Sequence, residues 1–423
     1  MEKEIQRLNP NDTGLYSNVP LGPTQFRIKN KSDLQHGWDI QYTSLLKTFL
    51  KNVKAPYVVY MGVNNIEYLH NAIMTTKIVK LVNKIGINIY LAETLSTYDI
   101  RNYKDKLFVD YENTEIQYIR ARELDSISQY VKNNNLTNVN VYTPNYGIET
   151  VFNTAYPLLN LSCLPIGWIY PATLQLPNIS TDYYTNNITK HFWCGNWKYT
   201  SHRHLVASYL AEKHLDSTNL SWIYESSDII LKDNIWFDIN KLKTHKDTIL
   251  AGASKLHNLA PLAMNINIDT KLSLNEVIHI HTNTNPAEYY KESFCAIVTE
   301  TRFAESTGFL TEKIMNAIIN YRPFIMVGPP GNLKYMKRWG FATYGEFWDE
   351  SYDDETCHYK RIEKIFDLID YISSMSVVQL KKLHKEMETT LIYNYNHILN
   401  LQEELLAESV INNTAFKRIQ YAH

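Results

Sequence analysis

Apolar residues in this chain gather into short runs, separated by stretches in which they recur every three or four positions. The two patterns alternate most clearly between Phe294 and Gly340. Phe294–Val298 is a continuous apolar run, long enough for one buried strand and too short for a helix. Leu310, Ile314, Ala317 and Ile318 then recur at helical spacing, which predicts a helix over Thr311–Asn320 with one apolar face. Phe324–Val327 is a second buried strand, stopped by Gly328, Pro329, Pro330 and Gly331, and a further helix follows. Two apolar strands joined by a helix make a βαβ unit, whose crossover is right-handed and whose strands are parallel.

The same alternation runs through most of the chain. It predicts a helix near Tyr42–Leu50, strands at Tyr57–Met61, Ile87–Leu91, Lys106–Val109 and Val139–Tyr142, and helices at Ile66–Asn83, Ile116–Val131 and Ile148–Leu158. A second series begins with strand His191–Gly195, helix Ser201–Lys213 and strand Ser221–Ser226. Thr200 and Ser201 are candidate caps of that helix, and Leu205, Tyr209 and Leu210 face inward. Strands alternating with helices indicate an α/β fold with parallel sheets. At 423 residues the chain is too long for one ordinary core. We therefore expect a Rossmann-like domain over 1–185, a second over 186–375, and a helical tail over 376–423. Pro165, Gly167, Pro171, Pro177 and the polar stretch Asn178–Asn187 read as the crossing between domains. Val377–Glu408 reads as one long helical stretch, expected over the domain junction.

Composition narrows the class. Apolar residues make up 44% and charged residues 20%, the profile of a folded globular protein rather than a disordered one. A formal net charge of −2 gives no global attraction to nucleic acid or to an anionic membrane. No apolar run approaches membrane-spanning length, and the polar segment Met1–Gly14 lacks the apolar core of a signal peptide. Cys163, Cys194, Cys295 and Cys357 lie far apart, as free thiols of a reducing compartment do. The expected location is the cytoplasm.

Candidate chemistry concentrates where ligands sit in parallel α/β sheets, beyond the carboxyl ends of the strands. There the chain places Glu300, Arg302 and Glu305, then the helix start Thr311-Glu312-Lys313. Thr311 is a plausible N-cap, and Glu312 suits the positive end of a helix dipole. Lys313 does not. Either Glu312 neutralises it and both face water, or an anion sits there and draws N–H groups, dipole and ammonium together. Arg203 is a second cation in the first turn of a helix that follows a strand. The pair suggests a diphosphate held between two helix ends, with a guanidinium fork on one side and a point charge on the other.

Other stretches carry weaker signals. Asp349–Glu355 is acidic and reads as a solvated loop in preference to a metal site. His279 and His281 share one side of a strand with no third ligand evident, and read as buried or site-lining residues. His202 and His204 flank Arg203, and either contact substrate or lie on the exposed face. No nucleophile elbow and no Walker-type loop occurs. No G-x-G-x-x-G follows the first strand, which weighs against a dinucleotide dehydrogenase.

Together, CGNWKYTSHR and VTETRFAESTGFLTEKIMNAIINYRPFIMVG resemble the donor-binding domain of GT-B glycosyltransferases of the fucosyltransferase-like group, and glycosyltransferase-like proteins of phages and large viruses. The resemblance spans roughly His191–Arg361. It implies a GT-B-like fold, in which two Rossmann-like domains face each other across a cleft. It implies that Arg203 and Lys313 hold the nucleotide diphosphate, that Glu312 accepts from the ribose hydroxyls, and that Glu300 lies near ribose or sugar. It further implies that the nucleotide-sugar is the donor substrate and that no catalytic metal or other cofactor is required.

An inverting transfer to a hydroxyl also needs a general base. Glu67 and Glu93 stand just after predicted strands of the first domain and are the candidates, each with a surface carboxylate as the plainer reading. The expected acceptor is a glycan, a protein or a modified DNA base. Two other classes stay open: a non-catalytic protein that keeps the fold as a binding or structural module, and a nucleotide-dependent oxidoreductase.

Overall fold

Buried parallel strands read as unbroken apolar runs because both their faces are covered. That rule accounts for the strands built on Phe294–Val298 and Phe324–Val327 in the structure, a computed structural model that describes residues 25–27, 57–60, 87–91, 128–129, 131–133, 135, 139–143, 145–146, 149–163, 181–196, 200–221, 238–259, 287–300, 302–304 and 308–406. The chain divides into two units. One comprises Met1–Leu174, Glu305–Leu310 and Leu399–His423, the other Gln175–Ala304 and Thr311–Ile398.

In chain order the first unit contains β1 (Gln25–Arg27), β2 (Tyr57–Tyr60), β3 (Ile87–Leu91), β4 (Val139–Thr143), β5 (Asn145–Tyr146), α1 (Glu149–Ala155) and β6 (Asn160–Cys163). Five of the strands form a parallel sheet in the order β1-β2-β3-β4-β6. The strands predicted at Tyr57, Ile87 and Val139 all appear in it. The segments predicted at Tyr42–Leu50, Ile66–Asn83 and Lys106–Val109 lie outside the described residues.

The second unit starts with α2 (Thr181–Asn186), β7 (Lys190–Gly195), α3 (Ser201–Lys213) and β8 (Thr218–Ser221). It continues with α4 (Lys246–Leu259), α5 (Ala287–Glu292) and β9 (Ser293–Thr299). The short strand β10 (Gly308–Phe309) belongs to the first unit, where it pairs antiparallel with β5. Then come α6 (Glu312–Ile319), β11 (Phe324–Val327), α7 (Asn332–Arg338), α8 (His358–Ser373), α9 (Val377–Glu386) and α10 (Glu388–Leu406), the last of which belongs to this unit as far as Ile398. Four parallel strands make this unit's sheet, in the order β11-β9-β7-β8. Every residue of β9 and of β11 is buried. Leu310, Ile314, Ala317 and Ile318 are buried as the helical spacing predicts.

Helix α3 is the centre of the second unit. It is buried on all sides from Ser201 to Ala211. Its neighbour α4 comes so near that a Cβ on Gly252 would stand 1.8 Å from the Ser208 carbonyl oxygen. On another side the Tyr209 ring stacks on Phe366 of α8 at 4.0 Å between centroids, and its hydroxyl donates to Asp370 at 2.8 Å. Glu363 of α8 accepts from Thr244 N at 2.8 Å and also from Lys243 N, which fixes the entry to α4.

Several expectations are corrected. Part of the expected interdomain crossing is the helix α2: Tyr184 lies under the buried Arg322 guanidinium, and the Thr185 hydroxyl meets the His384 ring at 2.7 Å. These tertiary contacts outweigh the polar composition of the segment. The strand expected to begin at Ser221 already runs from Thr218, because a 3-10 turn at Leu215–Ser217 brings the chain straight back beside β7, and residues 222–226 of the expected strand lie outside the described residues. The single helical tail is two helices, interrupted at the fully buried Met387. Helix α8 had no counterpart in the reading of the pattern, although Ile362, Ile365, Phe366, Ile369 and Ile372 recur at helical spacing and are buried. Among the described residues no helix is long and apolar enough to cross a membrane.

Candidate functional site

The order β11-β9-β7-β8 puts a reversal at one place. The chain leaves β7 through α3 to reach β8 on one side, whereas β9 lies on the other side of β7 and leads through α6 to β11. Open parallel sheets bind ligands at such a reversal, beyond the carboxyl ends of the two central strands. Here those ends are Gly195-Asn196 and Thr299-Glu300. Their side chains are tied together: the Thr299 hydroxyl donates to Asn196 Oδ1 at 2.8 Å, and Asn196 Nδ2 donates to Cys194 Sγ at 3.2 Å. Burial pushes the Cys194 thiol up to about 12, so it is a neutral acceptor and not a nucleophile.

Both misplaced cations belong to this corner. Arg203, in the first turn of α3, is buried, and its Nη2 donates to the carbonyl oxygens of Thr299 at 3.2 Å and Glu300 at 3.3 Å. Lys313, in the first turn of α6, is partly exposed, and its Nζ donates to Thr311 Oγ1 at 3.1 Å. Thr311 is the N-cap, as its residue type suggests, and also accepts from Lys313 N at 3.3 Å. Glu300 joins the two halves. Its carboxylate accepts from Thr311 N at 3.0 Å and from the Thr311 hydroxyl at 2.7 Å, and it is fully buried.

His202 is a further member that sequence reasoning left open, and the alternative of an exposed face is corrected. Both His202 and His204 are buried. The His202 Nε2 lies 2.8 Å from the Glu300 carbonyl oxygen, so Nε2 carries the proton and the ring is a donor there. Burial first, then the neighbouring charge of Arg203, hold His202 down to about 3, so the ring is neutral. Lys313 and Arg361 act on it in the same direction. Its ring stacks on Phe303 at 5.5 Å between centroids, and the Arg361 guanidinium lies 4.5 Å from the same ring's centroid. Arg361 also donates to the carbonyl oxygens of Phe303, Gly328 and Glu355. It thereby holds the loop after β9, in which Arg302 is also buried. Nothing in the local pattern at Arg361 could have shown this, because Phe303 and Gly328, whose backbone oxygens it meets, follow strands far earlier in the chain.

The other expected site residues are placed as follows. Glu312 is the first residue of α6. Glu67, Glu93 and Glu305 lie outside the described residues, as do His279 and His281. The acidic run is not merely a solvated loop, and this expectation is corrected. Asp353 is buried and accepts from Leu333 N at 3.0 Å and Lys334 N at 3.1 Å at the start of α7. Glu350 accepts from Tyr344 N at 2.8 Å and from the Thr343 hydroxyl at 2.6 Å. These carboxylates serve as acceptors for turns and helix starts.

No protein-family model and no curated protein matches the chain. Among solved structures it is similar to a glycosyltransferase from Rickettsia africae ESF-5, with 11% identity and a TM-score of 0.27, over 92% of this chain and 98% of that chain. A likeness at that level carries no argument about activity.

Proposed function

We propose that the chain is a glycosyltransferase, moving a sugar from a nucleotide-sugar donor to a hydroxyl acceptor, with the donor diphosphate at the carboxyl edge of the second unit's sheet. The observation that carries this reading is the convergence on Glu300 of two cations from two different helix starts, at the place where the strand order reverses. Lys313 is the cation that meets the phosphate, together with the N–H groups of the first turn of α6. Arg203 adds positive charge from beneath and keeps the strand end in place. Glu312 takes the ribose hydroxyls, and Arg302 and Glu305 border the donor.

In the transfer the acceptor oxygen bonds to the anomeric carbon as the bond from that carbon to the diphosphate oxygen breaks. The electron pair leaves with the diphosphate, and the acceptor proton passes to a general base, for which Glu67 or Glu93 is proposed. Fixed cations and helix N–H groups lower the barrier because the charge on the leaving diphosphate grows in the transition state. These groups supply the stabilisation without a metal. Inversion at the anomeric carbon, and a glycan, protein or modified DNA base as acceptor, complete the proposal.

Calorimetric titration with UDP and with GDP tests it. The wild type should bind one of the two, and Lys313→Ala should weaken that binding by at least about tenfold, as loss of a charge-assisted hydrogen bond does. Equal affinity in the two proteins would remove the reading's support.

A further inference from the structure

The Thr311 hydroxyl has one proton to give, and the structure shows where it goes. The acceptor is Glu300 Oε2 at 2.7 Å, while Glu300 Oε1 takes the Thr311 N–H at 3.0 Å. A carboxylate can only accept, so this pair fixes the hydroxyl as a donor toward β9 and leaves its lone pairs for α6. Those lone pairs receive Lys313 N at 3.3 Å and Lys313 Nζ at 3.1 Å. Glu300 is itself held from three directions. Its N–H donates to Val327 O at 2.9 Å, and its carbonyl oxygen accepts from His202 Nε2 at 2.8 Å and Arg203 Nη2 at 3.3 Å. A buried acid that touched a donor sugar would need a face toward solvent. This one has none, being fully buried.

We propose that Glu300 is the positioning residue of this site: through the Thr311 hydroxyl it sets the Lys313 ammonium at the start of α6, ready for a phosphate oxygen. The inference rests on the nucleotide-sugar reading for its ligand, and on the hydrogen-bond chain alone for its mechanism. It replaces a role for Glu300 in contacting the sugar or ribose. Its consequence has a distinctive sign. Neutralising a carboxylate near an anion site removes a repulsion, and by charge alone should tighten anion binding. Positioning predicts the reverse. The Gln amide would donate to the Thr311 oxygen, or leave it free to turn, and Lys313 would lose its fixed acceptor.

The test uses the full-length chain and two readouts. Acetylation of Lys313 by an N-hydroxysuccinimide ester, followed by peptide mass spectrometry, reports how firmly the ammonium is held without any ligand. Calorimetry with UDP and GDP reports the site. Glu300→Gln and Thr311→Val should both label severalfold faster at Lys313 and bind nucleotide about fivefold more weakly or worse, the loss of roughly one hydrogen bond. Thr311→Ser should match the wild type in both readouts, because it restores the hydroxyl. In Glu300→Gln/Lys313→Ala, binding should be no weaker than in Lys313→Ala, as expected of residues that act through one another. Tighter or unchanged nucleotide binding by Glu300→Gln, or unchanged Lys313 labelling in the folded variant, overturns the proposal. If Glu300→Gln does not fold, the contrast between Thr311→Val and Thr311→Ser decides. A wild type that binds neither UDP nor GDP overturns the proposed function, while the labelling still decides whether Glu300 positions Lys313.

Discussion

Arg203 occupies a position that helix electrostatics disfavours, and burial makes the cost larger. What offsets it is visible in the partners. The carbonyl oxygens of Thr299 and Glu300 point from the end of β9 at the guanidinium, so its Nη2 alone donates to two acceptors. Arg203→Ala should therefore cost about 2–3 kcal/mol of stability as well as nucleotide affinity, since two buried carbonyl oxygens lose a charged donor. Lys313→Ala should leave the urea midpoint almost unchanged, its side chain being partly exposed. Equal midpoints for the two variants would contradict this division of roles. Asp353 gives a pH signature at the same scale. Burial raises its carboxyl to about 6, against the lowering effect of the Leu333 and Lys334 N–H groups. The folded protein thus keeps a proton that the unfolded chain has released above 3.8, and loses stability as pH rises from there to about 6. The difference is worth at most roughly 3 kcal/mol. Asp353→Asn retains an oxygen for one N–H and removes the charge. Urea unfolding across that window should show the wild type losing stability relative to the variant as pH rises, and parallel curves would refute the assignment.

Among elements, α3 shows what pattern can and cannot disclose. Its bounds were legible because Thr200-Ser201 and the run to Lys213 sit between two apolar strands. Its surroundings were not. A helix buried on every side has no polar stripe to orient it, and α4 and α8 come from far along the chain. The strands at Ile87–Leu91 and Phe324–Val327 were legible to the residue, and for Phe324–Val327 the reason is that a fully buried parallel strand leaves an unbroken apolar run. The role of Glu300 was hidden because a carboxylate facing a ligand and one facing the next helix's cap look alike in sequence. The close approach of α3 and α4 yields a prediction of its own. Gly252→Ala would put a methyl group 1.8 Å from Ser208 O and 2.6 Å from its carbonyl carbon. Backbone atoms cannot swing aside as a side chain can. Alanine is the better helix former by about 1 kcal/mol, but the forced separation of two packed helices costs more, and a net loss of about 1–3 kcal/mol is expected. Chemical denaturation of the variant checks it, and a net gain would mean that the helices separate freely.

At the scale of the molecule, the formal charge of −2 supplies no general attraction for a polyanion. On the proposed function a nucleotide is recognised locally, at the corner that Arg203, Thr311 and Lys313 share. Binding there ties a ligand to the first turns of α3 and α6 and to the ends of β7 and β9, the core of the second unit, so it should be felt as stability of that whole unit. A ligand at a hundred times its dissociation constant stabilises the state that binds it by about 2.7 kcal/mol. For a unit of this size that corresponds to a rise of roughly 5–10 °C in its melting temperature. The useful comparison is therefore a thermal-shift series with UDP, GDP, their sugar conjugates and NAD, each on the wild type and on Lys313→Ala. Sugar nucleotides should raise the transition of the wild type and lose most of that effect in the variant. Of the two free diphosphates, the one the wild type binds should behave as its sugar conjugates do, because Lys313 and the first turn of α6 are proposed to meet the phosphates. A shift produced by NAD and by no nucleoside diphosphate would transfer the site to redox chemistry. A shift that survives in Lys313→Ala would place the ligand away from the start of α6.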